Sequence, residues 1–357
     1  MSEAIVPGEI LDGPRAIRET VERAEEPARE AAAALRARDV KRVYLIGNGT
    51  SLHSSLAAAF LYRGLAGPHQ PVVVALTAAE LRHYGPRLGP DDAVVGISAS
   101  GEFRDVLAVL ERCRGRQLTI GVTHVPESSI AGLCDHLVVS AGGPSRVPVM
   151  TKTFSATLAA TYLTVLELLG RDTARAGRAR ILAAADHAEA ALEHAVGRVG
   201  AYADRLAEYE HVFVHGGGGA YAAAIEAALK LKEVALVHAE GAETWEMASG
   251  GATQVGAASC VIGIAPAGPA REWTDDVTRH CAGWGAQVLE VTTAPASGTD
   301  LVLALDPAAD EALAPLYAVP PVALLAYELA VRRGATPDEP GWSERYRSQG
   351  MTHILGA

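Results

Sequence analysis

Glu226, Lys230 and Glu233 stand at i, i+4 and i+7 in "IEAALKLKEVALVHAEGAETWEMASGG", residues 225–251. On a helix that spacing puts all three on one face. The chain has four lysines (Lys41, Lys152, Lys230 and Lys232), and two of them fall inside this otherwise apolar, helix-like run. A carboxylate beside an ammonium in such a setting can serve as a general base, with desolvation raising its pKa and the cation lowering it. A structural ion pair would use the same residues, so both readings stand at this point. A second kind of chemistry is offered by "SASGE", Ser98 to Glu102, where hydroxyls and amides could surround a phosphate. Serine is also a common helix cap. A third group, Gly47-Asn48-Gly49-Thr50-Ser51, suits close backbone approach to an anion.

These groups need a scaffold, and short apolar runs alternating with Ala/Leu-rich stretches predict an α/β architecture with parallel sheets. Strands are expected at 42–46, 71–75, 93–97, 118–122 and 136–139, and again at 211–214, 259–264, 287–291 and 301–304. The two sets correspond. "VYLIGNGTSL" from Val43 matches "VFVHGGGGAY" from Val212, and "VVGISASG" from Val94 matches "CVIGIAPAG" near Val261. A period this long marks a duplicated domain and not a solenoid. The expected organisation is an N-terminal helical segment over 1–38, a first domain over 39–172, and a helical connector over 173–207. A second domain over 208–333 and a tail over 334–357 complete it. In the second copy Ala265-Pro266-Ala267-Gly268 takes the place of the serine turn, so the first copy is expected to hold the phosphate.

Composition narrows the partners. With 31 basic and 42 acidic residues the net charge is −11, which argues against nucleic acid and anionic membrane surfaces. No run of about 18 apolar residues is free of charge or glycine, so no membrane span is expected. The N-terminus "MSEAIVPGEILDGPRA" does not read as a signal peptide, so a cytoplasmic protein is expected. Cys113, Cys134, Cys260 and Cys281 are scattered, giving no metal motif and no disulfide framework; buried thiols are expected. The glycine turns do not spell GxGxxG, since position 52 is Leu, and no acidic residue ends the next expected strand. No dinucleotide, metal or other cofactor is expected.

With a duplicated α/β domain, "GTS", "SxSGE", "TKTFS" at 151–155 and "EAALKLKE" in this order, the chain resembles the double sugar-isomerase (SIS) family. The likeness runs to the isomerase half of glucosamine-6-phosphate synthase, and to amino-sugar phosphate deaminases and fructosamine-phosphate deglycases. It implies two tandem SIS domains, each a three-layer αβα sandwich of flavodoxin or Rossmann type, without a glutaminase domain. The resemblance further implies that Gly49, Thr50, Ser51, Ser98, Ser100 and Glu102 bind a sugar phosphate, with Ser249 and Arg345 also placed among the substrate-binding residues. Glu233 would move a proton between C1 and C2, with Lys230 and Glu226 completing the polar network. It also implies a homodimer.

Departures from the family pattern reshape the expectation. Ser249 stands where the synthase and deglycases carry a ring-opening histidine, sixteen residues after Glu233. Arg345 falls at the family's tail lysine, and arginine cannot form its imine. Ala99, Phe103 and Met150 replace a glutamine, a threonine and a serine. Glu246 reads as an exposed helix residue or a replacement acid, His238 as a packed helix residue, and His353 as a candidate only if the tail folds back. Lys152 is open between an anion contact and solvation, and Trp245 and Trp342 read as packing residues. The expected function is therefore a phosphosugar isomerase or amino-sugar deaminase, with deglycase chemistry or a non-catalytic sugar-phosphate-binding regulator as alternatives.

Overall fold

The computed structural model describes residues 4–143, 145–147 and 149–339. They fall into two compact units, one of residues 15–182 and one of residues 4–14 with 183–339.

In the unit of residues 15–182, five parallel strands form one sheet: β1 (Arg42–Gly47), β2 (Val72–Thr77), β3 (Asp92–Ile97), β4 (Leu118–Thr123) and β5 (His136–Val139). Their order is β2-β1-β3-β4-β5. β3 and β4 are buried along their whole length, the pattern of a parallel sheet covered on both faces. On one face Tyr44, Ile46 and Val94 pack against Ala78 and Leu81 of the helix Ala78–His83 and against Val106, Val109, Leu110 and Cys113 of the helix Arg104–Cys113. The helices Thr50–Leu65 and Lys152–Glu167 pack on each other and on the strands.

The other unit repeats this plan with β6 (His211–Gly216), β7 (His238–Glu243), β8 (Ser259–Ala265), β9 (Gln287–Thr292) and β10 (Val302–Ala304), in the order β7-β6-β8-β9-β10. Phe213, Val261 and Val288 meet Met247 and Cys281 in its core. The helix Gly219–Ala235 packs against β6, β7 and the helix Ala314–Arg332. The stretch 311–332 is long and apolar enough to cross a membrane by composition, and it lies mostly buried within this unit. Cys113, Cys260 and Cys281 are buried and unpaired, and burial pushes the Cys260 thiol up to about 12.

The structure corrects the reading of residues 225–251 as one helical run. The helix stops at Leu236, which adopts a left-handed conformation (φ 53°), and β7 follows. "HAEGAE" has no β-branched residue, so its strand character comes from pairing with β6 and not from propensity. Gly241 marks the closeness of that packing, since a Cβ there would lie 2.6 Å from the Ile225 Cα. His238 is therefore an exposed strand residue and not a packed helix residue. An acidic residue, Glu243, does end this unrecognised strand, but its carboxylate caps the next helix by accepting from the amides of Trp245 and Glu246.

Candidate active site

In a sheet ordered 2-1-3-4-5 the chain changes direction between β1 and β3, and a crevice opens at their carboxyl ends. The first unit places both hydroxyl-bearing turns at that point. After β1, Gly49 takes φ 53° and ψ −128°, and Thr50 and Ser51 begin the next helix as buried residues. Gly47 is required there, because a Cβ would sit 2.6 Å from that of Ser51. After β3, the Ser98 hydroxyl accepts from the Gly101 amide at 3.0 Å, and the Ser100 hydroxyl accepts from Glu102 N at 3.3 Å. A hydroxyl that accepts still has its own hydrogen to donate. Ser98 is buried at the floor of this turn and Ser100 is exposed at its rim. The adjacent strand braces the turn, with the Thr123 hydroxyl and His124 amide both donating to the Ala99 carbonyl. Glu102, expected to touch substrate, accepts from the amide and hydroxyl of Ser129 at 2.7 Å each and pins a neighbouring loop.

The second unit has the same turn with a different filling. Gly218 repeats the conformation of Gly49, at φ 58° and ψ −128°. Its glycines answer to packing: a Cβ on Gly217 would lie 2.7 Å from that of Ala270, and one on Gly219 would lie 2.1 Å from the Glu311 carbonyl oxygen. The Glu311 side chain lies against Gly268, in the turn that replaces the serine turn. Burial pushes its carboxyl pKa up, opposed by the Ala270 amide that it accepts from. A carboxylate of the protein thus faces the amides at the start of the helix Arg271–Gly283, where an external anion would otherwise be favoured.

The helix Gly219–Ala235 brings the three charged residues together. The Lys230 ammonium lies 3.1 Å from Glu226 and 2.7 Å from Glu233. Glu226 and Lys230 have side chains 0% and 1% exposed, whereas Glu233 is 38% exposed. Burial works to lower the Lys230 pKa, but the two carboxylates outweigh it and hold the ammonium above its usual range. The site is therefore asymmetric: a buried ion pair anchors the helix, and one carboxylate oriented by the ammonium still reaches solvent. That geometry suits a base that must meet a ligand.

Other candidates separate from this group. Ser249 is exposed and donates its hydroxyl to the Trp245 carbonyl at 2.7 Å, a bond local to its own helix. Glu246 is exposed on the same short helix. Trp245, expected to be a packing residue, is 43% exposed and tilts against Trp273 at 6.1 Å. Lys152 is buried at the start of its helix. Arg345, Trp342 and His353 lie outside the described residues. His215, which sequence reasoning passed over, is wholly buried between the hydroxyls of Thr244 (3.3 Å) and Thr278 (3.0 Å). Burial lowers its pKa to about 4, so the ring is neutral. Its counterpart in the first copy is the apolar Ile46, and that difference was the available signal.

The SIS-domain sequence profile matches residues 37–167 and 205–333. Glutamine–fructose-6-phosphate aminotransferase (isomerizing) of Gloeobacter violaceus is 34% identical over 348 residues, covering 93% of this chain and 56% of that protein. The enzyme of the same name from Pyrobaculum aerophilum is 34% identical over 309 residues, covering 84% and 50%. The chain thus spans about half the length of these curated relatives. Among solved structures, the C-terminal domain of glucosamine-fructose-6-phosphate aminotransferase from Francisella tularensis superposes with a TM-score of 0.83 at 22% identity, covering 94% of this chain and 98% of that one. Tagatose-6-phosphate ketose/aldose isomerase from Escherichia coli gives 0.79 at 18%, covering 93% and 94%. Glucosamine-6-phosphate deaminase from Thermotoga maritima gives 0.70 at 23%, covering 91% and 97%. At these identities the structural likeness is one of fold.

Proposed function

The chain belongs to the SIS-domain family, and on that premise we propose that it is an enzyme of phosphorylated sugars, an aldose–ketose isomerase or an amino-sugar phosphate deaminase. The observation that carries the reading is the asymmetric group Glu226–Lys230–Glu233, with a solvent-reaching carboxylate held by a buried ammonium. In this reading the hydroxyl turns at Thr50–Ser51 and Ser98–Ser100, with the Gly49 backbone, receive the phosphate. Glu233 takes the proton from C2 of an open-chain aldose, leaving an enediol, and returns it to C1 to give the ketose. With a 2-amino aldose the same step gives an enolamine; protonation at C1 yields a ketimine, which water hydrolyses to ketose and ammonia. In the deaminase reaction water is the second reactant; no cofactor is needed in either reaction, and the working form is a cytoplasmic homodimer.

One specific observation favours a second reading. Ser249 is tied to its own helix and supplies no acid for ring opening, as expected of a regulator that binds a sugar phosphate without turning it over. A coupled assay of hexose 6-phosphates and their 2-amino counterparts separates the two. Turnover of any of them supports the enzyme. Binding of the sugar phosphate with no turnover and no exchange of carbon-bound hydrogen in D₂O overturns it in favour of the regulator.

A further inference from the structure

We propose that His211 and His238 form a binding site for one divalent transition-metal ion of the kind that imidazole ligates, with Zn²⁺ as the reference ion. They are the first residues of β6 and β7 and are register partners in the parallel pair, which fixes their side chains next to each other. Both are exposed. Their rings stand 5.3 Å apart at 80°, and the two Nδ1 atoms are 3.3 Å apart. At that separation the two Nδ1 atoms share a hydrogen bond, and with the proton on Nε2 of both rings each Nδ1 presents a lone pair to the space beside the N···N line, where one ion can take both.

An ion at that point meets workable geometry. With Zn–N bonds of about 2.0–2.1 Å, a 3.3 Å nitrogen separation gives an N–Zn–N angle of about 104–111°, close to tetrahedral. Glu210 precedes His211, and Glu240 lies two residues beyond His238 on the same exposed face of β7. Both add negative charge near the ion without being required as ligands, and water completes the coordination. No group of three or more His, Cys, Asp or Glu ligands occurs among the described residues, so affinity around micromolar is expected, well short of a structural zinc site. β7 is an edge strand, and the ion would tie it to its neighbour. The pair lies at the amino end of β6 and β7, opposite the Gly216–Gly219 turn of the same sheet, so the inference does not depend on the proposed reaction.

The test is a Zn²⁺ titration of the full chain by calorimetry, with Mg²⁺ as the control ion, followed by thermal denaturation. About one Zn²⁺ per chain should bind, Mg²⁺ should not, and His211→Ala and His238→Ala should each weaken binding by about tenfold or more. Zn²⁺ should raise the Tm of the wild type and of neither variant. Circular dichroism checks that both surface variants fold, and His238→Gln serves if an alanine variant does not. Zn²⁺ binding of unchanged affinity in the variants, or none by the wild type at roughly 100 µM, would show that the pair is only a hydrogen bond between two imidazoles.

Discussion

Glu233→Gln should separate chemistry from stability, because Lys230 is held from two sides. Glutamine keeps an oxygen that can accept from the ammonium, now 2.7 Å away, so what disappears is one negative charge. Two charges about 4 Å apart are worth ~4 kcal/mol at an effective dielectric of about 20. Glu233 is 38% exposed and Glu226 still pairs with Lys230 at 3.1 Å, which reduces the net loss to about 1 kcal/mol. For a unit of this size that is a Tm shift of roughly 2–4 °C. Loss of a general base costs turnover about 10²–10⁴-fold, or ~2.7–5.5 kcal/mol of barrier. Lys230→Met should behave in the opposite way, stranding the fully buried Glu226 carboxylate at a cost of ~3–5 kcal/mol of stability. The assay is deuterium incorporation at C1 or C2 in D₂O beside thermal denaturation. If Glu233→Gln exchanges deuterium at the wild-type rate, Glu233 is a structural partner of Lys230 and the assignment of the base is wrong.

Ser98→Ala combined with Ser100→Ala should weaken sugar-phosphate binding by about 10–100-fold, measured by calorimetry; unchanged affinity in a folded variant would remove the phosphate from this turn. His215 should contribute to acid sensitivity: its folded pKa of about 4 lies below the ordinary 6.5, so its stabilisation is present above pH 6.5 and is lost as the pH falls toward 4. The span corresponds to about 3 kcal/mol, and His215→Gln should flatten the urea midpoint over that window; an unchanged slope would show that other groups set it. Light scattering at micromolar concentration should give twice the 37.1 kDa chain mass, and a monomer would count against the homodimer.

The chain's periodicities reached far into this fold. Nine of the ten strands were legible because buried parallel strands are continuous apolar runs bounded by turns, and the repeat followed from comparing the sequence with itself. β7 was hidden: His238 to Glu243 carry no strand propensity, and only pairing with β6 and packing on Ile225 make them extended. The three-residue charged face could also be read from helical spacing alone. Its asymmetry could not, since exposure depends on what other elements cover: Glu226 and Lys230 are buried while Glu233 is not. Likewise the serine turns were visible, but the bonding of Glu102 to Ser129 and the placement of Glu311 against Gly268 join residues 27 and 43 positions apart. Local sequence sets propensity and hydrogen-bonding capacity; which partner takes up that capacity is decided by tertiary packing.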